Sequence, residues 1–295
     1  TEASGSLNIE KKDDKIIVKS GDIYYEFSTK DGKGLTNISN NGRWVFNELP
    51  RLNFWRAPTD NDFGAWSQYS MRIWENAGHN IIYTYKGEQE SNGTLVINYE
   101  LKLRGIEAKV DITYTVNKDG SLTTDTHYQA LKEGLPEMMR LGMIMALPQN
   151  LDTFTWYGRG PHENYIDRNA DTFMGIWKGL VKDQAFAYYR PQETGNKTDV
   201  RWLTLTNKDG KGIKISGAQP LSVSATNNRP EDLDPGTTKK QQHSSDILPR
   251  HETVLCVDLF QKGIAGLDSW GAQPLDQYRF WNKEYRYSYT INFIK

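Results

Sequence analysis

Apolar and polar residues alternate with a period of two along most of this 295-residue chain, which restricts the fold to β-structure. The turn sequence Asn-Lys-Asp-Gly at 117–120 and again at 207–210 joins alternating runs and is typical of β-hairpins. The pattern predicts an antiparallel all-β protein with two large sheets packed face to face, and it excludes a parallel α/β sheet or a (β/α)₈ barrel. Ten runs carry it: KIIVKS, DIYYEFST, TLVINYELKLR, AKVDITYTVN, SLTTDTHYQA, MRLGMIMALP, WLTLTN, GIKISG, TVLCVDLF and YRYSYTINFI.

Helical periodicity is scarce. Ser67–Gly78 predicts one short helix that ends at a glycine, and RPEDLDPGTTKKQQH is a weaker candidate because Pro235 interrupts it. No internal repeat or low-complexity block divides the chain. The sequence therefore predicts one domain over residues 16–295, with residues 1–15 as a linker or the tail of a preceding domain.

The composition argues against several classes of partner. A net charge of −1 gives no reason to expect nucleic acid or an anionic membrane, and no apolar run approaches the length of a membrane-spanning helix. The single cysteine, Cys256, lies in a strand-like run where a small buried hydrophobe is expected, and it does not separate the cytoplasm from the periplasm of a bacterium.

Aromatic residues make up 12% of the chain, which suits a β-core and also suits surfaces that stack on sugar rings.

Familiar cofactor and metal signatures are missing from the sequence. It contains no dinucleotide fingerprint, P-loop, zinc-protease or nucleophile-elbow motif. The stretch TDNDFG resembles half of a calcium loop but lacks the later glutamate, and the five histidines have no metal-ligand spacing. We therefore predict no metal or cofactor site in this chain.

Three segments are unusual for a simple β-protein: NFWRAPTDNDFG (53–64), WYGRGPHENYIDRNAD (156–171) and GIAGLDSWGAQP (263–274). The second concentrates charged side chains around helix-breaking glycines and a proline, so we expect a rigid loop after a strand. In the third, Trp270 lies between glycine-rich turns and is expected to project from a loop. On these residues alone it is either a ligand contact or a cap on the end of the sandwich.

The motifs RAPTDNDFG, GRGPHENYIDR, YRPQETGN and GIAGLDSWG, in this order, resemble the C-terminal small-chain domain of β-galactosidases of glycoside hydrolase family 2. The resemblance runs from about Ser20 to Lys295. It implies an all-β, galactose mutarotase-like supersandwich with one or two short helices. It also implies that the chain is part of a retaining enzyme that hydrolyses lactose-type β-galactosides and that is expected to be a homo-oligomer. The catalytic glutamates and the Mg and Na sites of such an enzyme would lie on other domains, chiefly a (β/α)₈ barrel.

The resemblance also suggests roles for individual residues. Asp268, Ser269 and Trp270 match the family's substrate-binding motif, whose indole forms an apolar platform for the sugar. No catalytic residue is expected in this chain. A second group is expected to form a buried, hydrogen-bonded structural corner: Arg56, Asp60, Glu163, Asn164, Asp167 and Arg168.

Two other functions remain open from the sequence. A stand-alone aldose 1-epimerase-like enzyme would use His162 as acid and Glu163 as base, although neighbours on a strand point to opposite faces. A free-standing carbohydrate-binding module would need an exposed aromatic strip beyond Trp270.

Overall fold

The computed structural model describes residues 6–79, 81–264, 266–268 and 270–295, and the elements below are those of this part of the chain. Three short α-helices, α1 (Asp60–Gly64), α2 (Ser67–Ser70) and α3 (Pro230–Leu233), accompany four 3₁₀ turns. The strands are β1 (Asn8–Lys12), β2 (Lys15–Ser20), β3 (Ile23–Ser28), β4 (Leu35–Asn40), β5 (Arg43–Trp44), β6 (Glu48–Asn53), β7 (Ile82–Ser91), β8 (Thr94–Lys102), β9 (Ala108–Val116), β10 (Leu122–Ala130), β11 (Arg140–Pro148), β12 (Thr153–Gly160), β13 (Phe173–Leu180), β14 (Lys197–Thr206), β15 (Gly212–Thr226), β16 (Glu252–Gln261) and β17 (Glu284–Ile294).

The first five strands form an antiparallel meander in chain order. The burial of β3 alternates strictly, with Ile23, Tyr25 and Phe27 buried, so one face of this sheet packs on the core. The domain boundary predicted near residue 15 falls within the β1–β2 hairpin. That boundary stays a prediction, and residues 1–5 lie outside the described part of the chain.

The remaining twelve strands form one branched antiparallel sheet. Its main path runs β13-β12-β14-β15-β17-β10-β9-β8-β7, and β16, β11 and β6 branch from β15. The branch exists because β15 is 15 residues long: its residues 212–217 pair with β17, whereas its residues 222–226 pair with β16. One strand thus belongs to both layers of a large supersandwich.

A single main core fills the space between these layers. Strands β11 and β16 are buried on both faces, whereas β8, β9 and β10 alternate between buried and half-exposed residues. The largest fully buried aromatic side chains are Trp74, Trp156, Tyr25, Tyr99, Tyr128, Tyr165, Tyr289, Phe27, Phe54 and Phe154. Most of the aromatic content therefore serves packing.

The sequence-based predictions of the fold are largely confirmed. All ten alternating runs lie in strands, and both Asn-Lys-Asp-Gly turns close hairpins, β9–β10 and β14–β15. Gly120 and Gly210 have φ of 80° and 78°, which explains why each turn ends in glycine. The predicted helix at 67–78 is instead a four-residue helix followed by a 3₁₀ turn at Arg72–Trp74. Among the described residues no helix is long and apolar enough to cross a membrane.

Candidate functional site

Arg56 organises the end of the domain that carries Trp270. It follows β6, and its side chain is completely buried. Its Nη2 donates to both carboxylate oxygens of Asp62, at 3.1 and 3.0 Å. The same guanidinium donates to the backbone oxygens of Lys262 and Gly263, just after β16. A buried, hydrogen-bonded ion pair therefore joins the segment before α1 to the segment that leads into the Trp270 loop.

Helix α1 is built to present Asp62 at this position. Thr59 caps it: the backbone N–H of Asp62 donates to Thr59 Oγ1 at 3.1 Å, and the backbone N–H of Thr59 donates to Asp62 Oδ2 at 2.9 Å. The Asp62 carboxylate thus accepts hydrogen bonds from the N-terminus of the helix and from Arg56 at the same time. The stretch TDNDFG is accordingly a capped helical turn. Among the described residues no group of three or more His, Cys, Asp or Glu side chains is placed to hold a metal ion.

The prediction that Asp60 belongs to the buried corner is wrong. Asp60 is the first residue of α1, its side chain is 48% exposed, and it pairs with Lys239 at 2.5 Å. Asp62, two residues later, points inward and takes the place beside Arg56. The difference follows from helix geometry, since residues two apart do not share a face.

The chain entering the Trp270 loop is held from two further sides. Asn61 Nδ2 donates to the backbone oxygen of Ile264 at 2.8 Å, and the backbone N–H of Ile264 donates to Asp167 Oδ1 at 3.1 Å. Asp167 comes from the loop between β12 and β13. The three unusual segments of the sequence therefore converge on residues 262–264.

The far end of the loop is fixed as well. Asp268 Oδ1 accepts from the backbone N–H groups of Trp270, at 2.8 Å, and Ala272, at 3.2 Å. Gly271 has φ of 111°, and a Cβ there would lie 2.5 Å from the backbone oxygen of Gly64 at the end of α1, so only glycine fits this close approach. The buried ammonium of Lys262 donates to Gln273 Oε1 at 2.7 Å, which ties the start of the loop to its return.

Trp270 itself is 92% exposed. Its backbone is anchored by the contacts above, so the indole projects from a fixed base. Of the predicted substrate-binding residues, Asp268 therefore shapes the loop through its turn, whereas Ser269 lies outside the described residues. Trp66 and Tyr69, which follow α1, are also exposed and stack with ring centroids 5.8 Å apart.

The β12–β13 loop holds the other predicted corner residues in a bonded network. Both oxygens of Glu163 are occupied: Oε1 accepts from Arg168 at 2.6 Å and from the Tyr188 hydroxyl, and Oε2 accepts from Thr194 Oγ1 at 3.0 Å and the Gly195 N–H at 2.7 Å. The expectation that Arg168 is buried is wrong: its side chain is 42% exposed, and its pair with Glu163 lies at the surface edge of the corner.

Asn164 is the buried centre of the same loop. Its Oδ1 accepts from the backbone N–H and the hydroxyl of Thr198, at 2.9 and 2.6 Å, and its Nδ2 donates to the backbone oxygen of His162 at 3.0 Å. His162 is exposed and contacts Asp171 at 3.0 Å. His162 and Glu163 therefore make separate contacts, on the surface and in the network respectively.

A second buried ionic cluster lies beside the first and was not predicted from the sequence. Arg140 Nε lies 3.1 Å from Asp258 Oδ2, and its Nη2 lies 3.6 Å from Glu193. Gln261 connects the clusters, since its Nε2 donates to Glu193 at 3.0 Å and its Oε1 faces Arg56 at 3.5 Å. Burial raises the pKa of Asp258 to about 7, with Arg140 acting in the opposite direction. The sequence did contain a signal for this cluster: each of the two strand-like runs, MRLGM and VDLF, has a single charged residue at a core position.

These features define an all-β supersandwich that carries Trp270 on a loop anchored at both ends. The family model described as "Beta galactosidase small chain" matches residues 19–291, so the chain belongs to that family.

Curated relatives agree with the family. The chain is 35% identical over 242 residues to the β-galactosidase of Priestia megaterium, covering 82% of this chain and 23% of the relative. It is 31% identical over 281 residues to that of Halalkalibacterium halodurans, covering 94% of this chain and 27% of the relative. It thus spans about a quarter of the length of these relatives.

Solved structures are similar in fold alone. A TPR-domain containing protein from Parabacteroides distasonis has a TM-score of 0.51 at 8% identity, over 94% of this chain and 46% of that protein. The galactose 1-epimerase of Lactobacillus acidophilus has a TM-score of 0.45 at 10% identity, over 99% of both chains.

We expect Asp62→Asn to destabilise the domain by ~3–5 kcal/mol, because it keeps the shape of the side chain but leaves the buried Arg56 charge without a counter-ion. Asp60→Asn is the matched control and should cost no more than ~1 kcal/mol, since its pair with Lys239 is exposed. Denaturant unfolding of both variants measures the difference. Equal losses of stability in the two variants would show that the buried pair contributes no more to folding than the exposed pair.

A second prediction concerns Lys197, whose ammonium is buried, donates to the backbone oxygen of Gly195 at 3.1 Å and lies over the Trp156 ring. Burial lowers its pKa to about 8, with Glu163 opposing. An unfolded lysine titrates near ~10.4, so between these values the unfolded chain binds more protons and this group's contribution to stability rises with pH. Lys197→Met should therefore be more stable than wild type at pH 7, and its advantage should shrink by pH 9.5. Thermal melts at both values test this, and an advantage independent of pH would contradict it.

Proposed function

We propose that this chain is the C-terminal part of a retaining β-galactosidase that hydrolyses terminal β-D-galactosyl residues, and that Trp270 supplies a sugar platform to an active site completed by the rest of the polypeptide. The observation that carries the proposal is the 92% exposure of an indole whose loop is anchored at both ends. A ring that capped the end of the sandwich would instead be largely buried against the core.

The chemistry of the ligand fits this arrangement. One face of a galactopyranose presents C–H groups, and an indole covers them without requiring a particular hydrogen bond. Because the backbone that carries the ring is already anchored, only the side-chain torsions of Trp270 have to be ordered when the sugar binds. The proposed ligand is therefore a terminal galactoside of the lactose type, stacked against the exposed face of Trp270.

The catalytic pair is proposed to lie elsewhere in the polypeptide. A retaining glycosidase needs two carboxyl groups ~5–5.5 Å apart across the glycosidic bond. Next to Trp270, the Asp268 carboxylate is engaged with the backbone of its own turn. The relatives extend far beyond the part that this chain matches, which leaves room for the (β/α)₈ barrel implied by the resemblance.

The two alternatives receive unequal support. For an aldose 1-epimerase, Glu163 would have to accept a proton, yet both its oxygens already accept hydrogen bonds. For a carbohydrate-binding module, the exposed stacked pair of Trp66 and Tyr69 supplies aromatic surface beyond Trp270. Binding of galactose to the 295-residue chain alone, with no second domain present, would favour the module.

We expect the 295-residue chain alone to show no hydrolysis of a chromogenic β-galactoside, because two suitably spaced carboxylates would be missing from the anomeric carbon. The assay follows release of the chromophore across the fractions of a final purification column. Turnover that co-elutes with the protein would contradict the proposal that the catalytic residues lie outside this chain.

Trp270→Ala in the intact enzyme should raise the dissociation constant for lactose roughly 2- to 12-fold, which corresponds to the loss of ~0.5–1.5 kcal/mol of stacking. Its melting temperature should hardly change, because an exposed loop side chain supports little of the core. Trp44→Ala is the control, since Trp44 is another exposed indole but lies on β5 in the other sheet. A Trp270→Ala variant that unfolds easily while keeping its sugar affinity would make Trp270 a structural cap.

A further inference from the structure

Trp66 has a backbone conformation that its residue type rarely adopts. It comes directly after Ala65, the C-cap of α1, and has φ of 59° and ψ of 18°, which lie in the left-handed region. The other non-glycine residues of the described chain with a positive φ are Asn41, Asn92 and Asp199, whose short polar side chains tolerate this region. Tryptophan does not, so the chain holds a bulky ring here at a cost in backbone strain.

The fold itself does not require a tryptophan at this position. The residue after a helix C-cap is most often glycine, because glycine adopts the left-handed conformation without strain. Burial of the ring does not offset the strain, since Trp66 is 68% exposed and the ring that it stacks on, Tyr69, is itself 50% exposed. A strained residue whose side chain stays exposed points to a role in binding.

The backbone of Trp66 is held by hydrogen bonds on both sides. Its N–H donates to the backbone oxygen of Phe63 at 3.2 Å, and its own oxygen accepts from the backbone N–H groups of Tyr69 and Ser70, each at 3.1 Å. Ser70 Oγ donates to the same oxygen at 3.3 Å. The rings of Trp66 and Tyr69 therefore stand on one anchored turn, with their centroids 5.8 Å apart and their planes inclined by 29°.

This aromatic pair lies beside the Trp270 loop. A Cβ on Gly271 would be 2.5 Å from the backbone oxygen of Gly64 and 3.5 Å from the Cα of Ala65, so the two segments touch one residue away from each tryptophan. Because consecutive Cα atoms are ~3.8 Å apart, the Cα atoms of Trp66 and Trp270 are at most about 13 Å from each other. This separation allows the two indoles to contact adjacent residues of one short saccharide.

The surface around the pair has the chemistry of a site for a neutral, hydroxylated ligand. Residues 65–71 carry no charge. Within the described part of the chain, neither the Trp66 indole N–H nor the Tyr69 hydroxyl makes a hydrogen bond. An aromatic face with free polar groups at its edge matches a sugar, which presents C–H groups to the ring and hydroxyls to the edge. A surface this close to Trp270 also has to stay open if a galactoside is to reach that indole.

From the strain, the exposure and the contact with the Trp270 loop we infer that Trp66 and Tyr69 form a second aromatic platform, which stacks on the sugar residue bonded to the terminal galactose of the substrate. The pair thereby selects substrates by their leaving group and favours a pyranose over a small alkyl group. Trp66 supplies the stacking face, and Tyr69 supports that ring and offers its hydroxyl. This inference rests on the proposed function, because it takes the terminal galactosyl residue to lie on Trp270.

The kinetics of the intact enzyme on two galactosides test the second platform. Lactose carries a glucose residue as its leaving group, whereas methyl β-D-galactoside has only a methyl group there. We expect Trp66→Gly to lower the ratio of kcat/KM for lactose to kcat/KM for methyl β-D-galactoside ~2- to 12-fold, because one stacking contact is lost. Tyr69→Ala should lower the same ratio. Asn92→Gly removes a positive φ from the β7–β8 turn and is the matched control, which should leave the ratio unchanged.

The second platform and the proposed function fail separately in this experiment. Trp270→Ala should lower kcat/KM for both substrates, so a Trp270→Ala enzyme that loses neither activity would contradict the proposed function. An unchanged ratio in Trp66→Gly would overturn the second platform, whether or not Trp270→Ala shows its loss.

Thermal melts distinguish a sugar platform from a surface covered by protein. Glycine adopts a φ of 59° without strain, so Trp66→Gly should melt at or above the temperature of wild type, both as the 295-residue chain and as the intact enzyme. If another part of the longer polypeptide packed on the ring, the intact variant would lose stability through the cavity left behind. A lower melting temperature of the intact Trp66→Gly enzyme would therefore overturn the inference.

Discussion

The buried pair between Arg56 and Asp62 is the interaction on which the end of this domain that carries Trp270 depends. A guanidinium without access to water needs a counter-charge and an acceptor for its remaining donors. Asp62 supplies the charge, and the backbone oxygens of Lys262 and Gly263 supply acceptors. Because those oxygens lie at the start of the Trp270 loop, the contacts of this one buried cation also hold the point at which that loop leaves the sheet.

The neighbouring ionic groups extend this constraint through the interior. Gln261 links Arg56 to the cluster of Arg140 and Glu193. The end of β16 is therefore held by contacts with both ionic groups. A network of this kind is costly to desolvate and adds little net stability, but it favours one arrangement over others because each partner has a defined position. For a surface ring that we propose stacks on a sugar, a defined position of its loop matters more than added stability.

The same domain presents two kinds of exposed apolar surface. Trp270 is a single ring on a loop whose two ends are anchored, whereas β13 is a regular strand at an edge of the large sheet as far as the described residues show. The first suits a small ligand that stacks, and the second suits a strand that pairs.

The sequence by itself determined the strands, the two glycine-ended hairpins and the all-β class, because alternation and turn chemistry are local properties of the chain. It also marked three polar segments as unusual and Trp270 as a loop residue. Only the tertiary structure decided that these segments meet at residues 262–264, that Asp62 rather than Asp60 pairs with Arg56, and that Arg140 and Asp258 share the interior. The physical reason is that a buried charge is paired through space by residues far apart in the chain, and alternation along a strand says which face a residue occupies but not which partner it meets there.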